Sequence, residues 1–368
     1  NGIGVASILA VLEDDTLAHG PLEALFTATE ETGMDGAFGL RPGVLQGEIL
    51  LNLDSEEEGE LYVGCAGGLD ANTTFRYAEE PTPAAGYVAA KISVRGLKGG
   101  HSGIQIVCQR ANANKLLFRL LRRWTAAHDL LLCSVDGGGL RNAIPREAFA
   151  VFGVPAETAG DVCERCRAFA VEIVEEFKYT EPNLQMTLNK IGGVEWVLDP
   201  VTMQSLVGAL VGLPNGVLAM SHAVEGLVET SSNLASVKFG AEGIVVTTSQ
   251  RSSVESAKRY AAQTVEAVLR LSGAEVAHSD GYPGWSPDPD SYLLHVTEQC
   301  YERLFAVKPK VRAIHAGLEC GLFLEKYPEL DMVSFGPTLR GVHSPDERLE
   351  IATVPKFWKL LTEVLKTI

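Results

Sequence analysis

The sequence predicts an α/β domain that is interrupted by an inserted α+β domain. Three observations indicate this arrangement. Over residues 1–68, helical patterns alternate with continuous apolar runs, and such runs are typical of buried parallel strands. After the glycine-rich residues 64–68, apolar and polar side chains alternate over residues 87–94, as in a half-exposed antiparallel strand. After a joint rich in proline and glycine at residues 282–287, the first pattern returns. We therefore expect the α/β domain in two parts, 1–68 and 283–368, and the inserted domain over 69–282.

The first part of the α/β domain is predicted to contain two strands that both end at carboxylates. A helix over residues 2–13 leads to a strand over 22–28, and a short helix over 35–40 leads to a strand over 49–53. Glu30 and Glu31 follow the first strand, and Asp54 follows the second. Ligands of parallel sheets bind beyond the carboxyl ends of the strands, so we expect these three side chains at one sheet edge.

Two helices are prominent in the inserted domain. Residues 111–127 place leucines on one side of a long helix. Residues 161–177 form another helix, which contains Cys163 and Cys166. Because no second cysteine pair accompanies them, this spacing favours helix packing over a zinc site.

The second part of the α/β domain is predicted to end with a capped helix. A helix over residues 290–306 precedes short strands over 311–314 and 332–335, and a loop carries His343. The following Ser-Pro-Asp-Glu at residues 344–347 predicts the start of the last helix, with serine as the cap, proline in the first turn and glutamate three positions on.

Composition narrows the class of protein. The formal net charge is −16, which disfavours nucleic acid and anionic membranes as partners. No apolar run reaches the roughly 18 residues of a membrane span, and the sequence starts without a secretory signal. Seven cysteines without a framework spacing indicate reduced thiols, so we expect a cytoplasmic protein.

Four residues at predicted strand ends are candidates for a catalytic metal centre: Glu30, Glu31, Asp54 and His343. Adjacent residues point in different directions, so one glutamate can face a metal while the other accepts a proton from water. Carboxylate and imidazole ligands together suit zinc, manganese or cobalt. The alternatives are a polar loop after a strand for the glutamate pair and a capped loop histidine for His343.

Three residues of the inserted domain are candidates for contacting a substrate. His101 and Asn142 each lie in a glycine-rich loop, where the backbone can approach a ligand closely. Arg251 follows the apolar strand 244–248 and suits bidentate binding of a carboxylate. The alternatives are ordinary turns for the two loops and a solvated side chain for the arginine.

Five segments resemble one family of peptidases. They are TEETGMDGA (residues 29–37), NLDSEEEG (52–59), GGHSG (99–103), RNAIPRE (141–147) and HAGLECG (315–321). They resemble the bacterial aminoacyl-histidine dipeptidases, also called cytosol non-specific dipeptidases or peptidase D. These enzymes belong to the two-zinc metallopeptidase group that includes carnosinase and carboxypeptidase G. The resemblance runs along the whole chain.

The resemblance implies a cytosolic metallopeptidase that hydrolyses dipeptides, Xaa-His among them, with two Zn²⁺ ions for which Co²⁺ or Mn²⁺ can substitute. It implies Glu30 as the general base, and Glu31 and His343 as ligands of one zinc and Asp54 of the other. It implies that His101 stabilises the oxyanion, reaching the site from the partner subunit in related dimers. It implies Asn142 and Arg251 as substrate binders, and a homodimer formed through the inserted lid domain.

The chain departs from this family pattern at its start. Related chains carry a His-x-Asp motif upstream and a bridging aspartate directly before the Asn1-Gly2 pair. His278 and Asp280 have the His-x-Asp spacing, but they lie beside the second joint. We therefore expect an N-terminally truncated site that binds metal weakly and hydrolyses little. The alternatives are an aminoacylase or amidohydrolase of the same group, or a non-catalytic degenerate homologue.

Overall fold

The computed structural model describes residues 1–83, 86–125, 130–240, 242–342 and 345–368. The helices of these residues are α1 (Gly2–Glu13), α2 (Asp35–Gly39), α3 (Ala113–Thr125), α4 (Ala159–Glu176), α5 (Pro200–Gly212), α6 (Glu255–Leu271), α7 (Tyr292–Phe305), α8 (Glu319–Lys326) and α9 (Val354–Thr367). The strands are β1 (Ile49–Asn52), β2 (Glu60–Cys65), β3 (Gly67–Phe75), β4 (Glu79–Pro81), β5 (Tyr87–Arg95), β6 (Gly100–His101), β7 (Leu131–Gly138), β8 (Ala143–Ile144), β9 (Ala148–Pro155), β10 (Gln185–Lys190), β11 (Trp196–Leu198), β12 (Gly216–Met220), β13 (Val228–Gly240), β14 (Gly243–Ser252), β15 (Glu275–His278), β16 (Lys310–Ile314), β17 (Asp331–Ser334), β18 (Leu339–Arg340) and β19 (Arg348–Leu349).

The two ends of the chain share one four-stranded sheet, in the order β1-β17-β2-β16. β1 pairs in parallel with β17, and β2 pairs in parallel with β16. A hydrophobic core of this sheet is drawn from residues 11–65 and 285–365. Two parallel strands must be joined by a crossover connection. The longest crossover in this sheet runs through the whole segment of chain between the two halves of the sheet.

The predicted strand over residues 22–28 is wrong. These residues have no regular strand structure, and Leu22 and Phe26 are exposed. The only described strand that pairs with β1 is β17, and a cavity of about 790 Å³ lies between β1 and the 22–27 segment. An apolar run becomes a buried strand only where a neighbouring strand satisfies its backbone groups.

The segment between the two halves of the first sheet forms a nine-stranded sheet made of two similar units. Its order is β10-β5-β9-β7-β13-β14-β3-β15, with β12 beside β13. β5-α3-β7-β9-α4-β10 is one βαββαβ unit, and β3-α5-β13-β14-α6-β15 is the other. Both have the same strand order, and the second strands of the two units, β7 and β13, pair edge to edge. One chain therefore contains two joined copies of the same arrangement.

Helix α3 shows why the nine-stranded sheet packs well. Leu116, Leu117, Leu120, Leu121 and Trp124 recur at helical spacing, and all are buried against the sheet. The predicted helix over residues 111–127 is observed from Ala113 to Thr125, and residues 126–129 lie outside the description.

The joint between the two sheets consists of residues 65–68 and 282–285, which run antiparallel to each other. Cys65 bridges Trp285, and Gly68 bridges Tyr282. A Cβ atom on Gly67 would lie 2.6 Å from the backbone nitrogen of Gly284. Glycine is needed here because two backbones touch, so the joint is tightly packed.

The last helix begins later than predicted. Ser344 lies outside the described residues, and Pro345 and Asp346 form a turn. The hairpin of β18 and β19 then pairs Arg340 with Arg348, and α9 begins at Val354. The capping pattern was misleading because residues 348 and 349, which would have continued the helix, are extended and pair with residues 339 and 340 in this hairpin.

Among the described helices, none combines the length and the apolar character that crossing a membrane requires.

Candidate active site

The Glu30–Glu31 pair lies in a constrained turn. Glu30 starts a 3₁₀ helix that ends at Thr32. Thr29 and Met34 flank it with φ angles of 59° and 58°, and the amides of Gly33 and Met34 both donate to the carbonyl of Thr29, at 3.0 and 2.8 Å. Non-glycine residues rarely adopt positive φ, and such strain is concentrated at functional sites. The turn therefore fixes the backbone from which the two carboxylates extend.

Asp54 follows β1 and is held by a polar cluster at the end of that strand. Its backbone amide donates to Asn52 Oδ1 at 3.1 Å, and Ser334 Oγ on β17 donates to the same oxygen at 2.6 Å. The side chain of Asn1 donates to the carbonyl of Leu53 at 2.6 Å. The predicted strand over residues 49–53 is thus observed, and its end is fixed from two sides.

Glu319 lies near Asp54 and is hydrogen-bonded to the segment that precedes the glutamate pair. Its Oε2 accepts a hydrogen bond from Thr27 at 2.9 Å, three residues before Glu30. Its Oε1 is buried without a hydrogen-bond partner among the described residues. Burial raises the pKa of Glu319, the Thr27 hydroxyl opposes this, and the nearby charge of Asp54 raises it further. Sequence reasoning missed this residue, although it lies in the quoted 315–321 segment.

The carboxylates suit a divalent cation, but the described part of the chain does not complete a metal centre. No three described His, Cys, Asp or Glu side chains come close enough together to hold an ion. His343, the predicted imidazole ligand, lies outside the described residues. The donor types fit zinc, and the unpartnered Glu319 Oε1 near Asp54 fits a neighbouring cation. His278 is engaged elsewhere, 3.1 Å from Glu266.

The ring of His101 is held in one orientation by its own loop. Its Nδ1 accepts hydrogen bonds from the amides of Gly103 and Ile104, both at 3.1 Å. When the ring is neutral, its proton must therefore be on Nε2, which is a donor. Burial lowers the pKa of His101, and the charge of Arg251 lowers it further. The loop thus presents a neutral hydrogen-bond donor.

The loop of Asn142 pairs with the loop of His101. β6 and β8 pair with His101 opposite Ala143, and the amide of Ser102 donates to the carbonyl of Asn142 at 2.8 Å. Asn233, buried in β13, donates to the carbonyl of Ala143 at 2.8 Å. The side chain of Asn142 is exposed, so it is available to a ligand.

Arg251 is a buried cation that has no carboxylate partner among the described residues. It is 8% exposed in β14, which continues past the predicted end at residue 248 to Ser252. Its Nη1 donates to the hydroxyl of Tyr282 at 2.6 Å, and no group in the described part of the chain accepts from its Nε. No carboxylate of the described residues forms an ion pair with it. Because burying an unpaired charge is costly, this guanidinium suits an anionic ligand.

His315 brings the four-stranded sheet into contact with this cluster. It is 6% exposed, and its Nε2 lies 2.7 Å from Ser231 Oγ on β13. Burial, followed by the charge of Arg251, lowers the pKa of His315 to about 3, so the ring is neutral at neutral pH. A Cβ atom on Gly103 would lie 2.2 Å from the His315 carbonyl oxygen. Sequence reasoning gave this residue no role, although it opens the quoted 315–321 segment.

The predicted site residues fall into two groups. His101, Asn142 and Arg251 come together at one end of the nine-stranded sheet, where His315 and Tyr282 join them. Glu30, Glu31 and Asp54 belong to the four-stranded sheet region, where Glu319 bonds to Thr27 and lies near Asp54. His101 lies close enough to Arg251 of the same chain for the charge of the arginine to lower the pKa of the histidine. The chemical roles of these residues stay predictions.

Comparisons with known proteins point to one family. A family model described as peptidase family M20/M25/M40 matches residues 1–367. The cytosol non-specific dipeptidase of Escherichia coli (strain K12) is 45% identical over 368 residues, which cover 100% of this chain and 76% of that protein.

Solved structures support the same grouping. The aminoacylhistidine dipeptidase from Vibrio alginolyticus matches with a TM-score of 0.96 and 43% identity, over 100% of this chain and 75% of that chain. The aminopeptidase PepT from Bacillus cereus ATCC 10987 matches with a TM-score of 0.50 and 12% identity, over 99% of this chain and 69% of that chain. The second likeness shows a shared fold alone.

Proposed function

This chain belongs to peptidase family M20/M25/M40, and on that premise we propose that it is a metal-dependent dipeptidase that hydrolyses dipeptides, Xaa-His dipeptides such as carnosine among them. The comparisons confirm the family resemblance, the α/β fold class and the enzyme class that the sequence predicted. The observation that carries the substrate proposal is the buried guanidinium of Arg251, which has no described carboxylate partner and lies within electrostatic range of His101. A dipeptide supplies the missing carboxylate.

We propose that the residues of the nine-stranded sheet bind and orient the substrate. Arg251 would hold the terminal carboxylate, and Asn142 would donate to or accept from the backbone of the same substrate residue. His101 Nε2–H would donate to the carbonyl oxygen of the scissile bond as negative charge develops there. Its neutral state supports this role, because no proton has to be moved before the bond forms.

We propose that the residues of the four-stranded sheet handle the attacking water. Glu31, Asp54 and His343 would hold a divalent cation, in the complete site two Zn²⁺, with Co²⁺ or Mn²⁺ as substitutes. Such a cation supplies a Lewis acid that lowers the pKa of water towards ~7. Glu30 would then accept a proton from the water as it attacks the peptide carbonyl and deliver it to the leaving amine.

We propose the domain roles on the same basis. Residues 1–68 and 283–368 would form the catalytic domain, and residues 69–282 a lid and dimerisation domain. The name of the Escherichia coli relative supports a cytoplasmic location. A homodimer would use the outer edges of the nine-stranded sheet, since β7 and β13 already pair within one chain. Light scattering tests this proposal, and a mass of one chain at micromolar concentration contradicts it.

The function is tested with the full-length protein as its gene encodes it. After zinc loading and dialysis, carnosine and a panel of other dipeptides are assayed beside N-acyl amino acids. We expect dipeptide turnover, and we expect Glu30→Gln to lower kcat by about 10²–10⁴ with unchanged metal content by mass spectrometry. Glu13→Gln, an exposed glutamate on α1, is the control.

The other outcomes distinguish the alternatives. Turnover of N-acyl amino acids but not of dipeptides would make the protein an aminoacylase. Absence of turnover with either class, despite bound zinc, would favour a non-catalytic homologue and overturn the proposal.

A further inference from the structure

Tyr282 is held in the joint at both its backbone and its ring. Its amide and carbonyl exchange hydrogen bonds with Gly68 at 2.9 and 3.0 Å, and the carbonyl also accepts from Lys258 Nζ at 2.6 Å. A Cβ atom on Gly68 would lie 2.6 Å from its ring, and one on Gly317 would lie 2.8 Å from its ring. The ring is therefore wedged between two backbone segments that only glycine allows to come so close.

The hydroxyl of Tyr282 has an unused donor. Arg251 Nη1 donates to this oxygen at 2.6 Å, so the hydroxyl acts as the acceptor in that bond. A tyrosine hydroxyl can donate and accept at the same time, and no other described group bonds to it. Burial raises the pKa of Tyr282, and the charge of Arg251 opposes the shift. The hydroxyl therefore keeps its hydrogen at neutral pH.

Arg251 also has unused donors. None of the described residues accepts a hydrogen bond from its Nε or from its Nη2. The guanidinium is planar, so the bond from Nη1 to Tyr282 fixes the direction of its remaining N–H groups. The wedged tyrosine ring thus determines where the guanidinium points.

We infer that Tyr282 and Arg251 form a two-donor site for the terminal carboxylate of the substrate. Tyr282 is both a positioning residue for Arg251 and a hydrogen-bond donor to one carboxylate oxygen, while Arg251 donates to the other. This inference rests on the proposed function. It adds a residue from the joint to the substrate site, so the carboxylate is anchored where the two sheets meet.

The inference is tested by removing only the hydroxyl. Tyr282→Phe keeps the ring between Gly68 and Gly317. We expect KM for carnosine to rise roughly 10-fold or more, because a hydrogen bond to a charged group is lost, and we expect kcat to change by less than about threefold. The control is Tyr260→Phe on α6, whose side chain is exposed; this variant should match the wild type.

A substrate-side comparison separates binding from a structural role. In a Glu30→Gln background, calorimetry measures Kd for carnosine and for β-alanyl-histidinamide, whose amide nitrogen cannot accept a hydrogen bond. We expect Tyr282→Phe to weaken binding of carnosine roughly 10-fold and binding of the amide by less than about threefold. Equal weakening of both ligands, or no weakening of either, would overturn the inference.

This design keeps the two proposals apart. A wild-type protein that binds carnosine through its carboxylate but never hydrolyses it would contradict the dipeptidase proposal and leave the carboxylate site supported. A protein that hydrolyses carnosine with the same KM in Tyr282→Phe would support the dipeptidase proposal and contradict the carboxylate site.

Discussion

The two sheets carry the two groups of candidate site residues, and they differ in how they are supported. The nine-stranded sheet is covered by long helices and has a large buried core. The four-stranded sheet has β1 at one edge, with an apolar cavity of about 790 Å³ beside it. His101, Asn142 and Arg251 belong to the first sheet, and Glu30, Glu31 and Asp54 belong to the region of the second.

The two groups of candidate residues are therefore held in place by different kinds of contact. The substrate-binding candidates are fixed by strand pairing and buried amides, as with Asn233 beneath the Asn142 loop. The carboxylate candidates are fixed by local turns, as with the positive-φ residues around Glu30 and Glu31. Preorganised groups need support from residues behind them, and the two sheets provide it in different ways.

The largest expected effect tests whether the packing of the two regions differs as described. Trp124 is fully buried against Phe152, with ring centroids 5.0 Å apart. Its change to alanine should lower the free energy of unfolding by about 3–5 kcal/mol. Phe26 in the 22–27 segment is 48% exposed, and its change to alanine should lower the free energy of unfolding by less than about 1 kcal/mol. Urea unfolding measures both, and equal losses would refute the comparison.

The next effect concerns the contact between the two regions at low pH. His315 has a pKa of about 3 in the folded protein against 6.5 ordinarily, so below pH 6.5 the unfolded chain binds a proton that the folded chain does not. The contribution of His315 to the free energy of unfolding is therefore full above pH 6.5, and it is lost as the pH drops towards 3. The loss between pH 7 and pH 4 should be on the order of 3 kcal/mol.

Urea unfolding across this pH range measures the loss. His315→Gln keeps a donor towards Ser231 and should flatten the profile, while the exposed His19→Gln serves as control. An unchanged slope in His315→Gln would show that other groups cause the acid sensitivity. The lowered pKa of His101 acts in the same direction with a smaller contribution.

A third effect separates function from stability within the nine-stranded sheet. Arg251→Met should raise KM for dipeptides by about 30–100-fold, because a charged hydrogen-bonding partner of the carboxylate is lost. The free energy of unfolding should stay unchanged or rise, since the change removes a buried cation that no described carboxylate pairs with. Arg76→Met, an exposed position, is the matched control. A large loss of stability in Arg251→Met would make the arginine structural.

The smallest effect concerns surface charges on the well-packed region. Arg119 and Glu176 join α3 and α4 through two hydrogen bonds of 3.0 and 2.9 Å, but both side chains are partly exposed. A double-mutant cycle to alanine should give a coupling of less than about 1 kcal/mol, and high salt should reduce it. A coupling above about 2 kcal/mol would show that surface ion pairs contribute substantially to the stability of this sheet.

Apart from the start of the last helix, the predicted helices are observed close to their expected bounds, because their signals are local. The predicted helix over residues 2–13 is observed as Gly2–Glu13, and that over 290–306 as Tyr292–Phe305. Apolar spacing and capping residues lie within the same stretch of chain as the helix that they specify. Both site loops of the inserted domain were also predicted from glycines that lie next to His101 and Asn142.

Strand pairing and the meeting of distant side chains could not be predicted in this way. The apolar run over residues 22–28 has the composition of a strand, but no strand of the described residues pairs with it. His315 and Tyr282 carried no recognised role, because their environment comes from Ser231, Arg251 and Gly68, far away in the chain.

The sequence by itself determined the residue types of the site, most of the helices and the family to which the chain belongs, since these follow from short-range patterns. Only the tertiary structure decided that β7 and β13 join two similar units into one sheet, and that Arg251 is buried against Tyr282 without a described carboxylate. The physical reason is that burial and hydrogen-bond partners are properties of the folded chain. A side chain acquires its charge state and its direction only when residues distant in sequence pack around it.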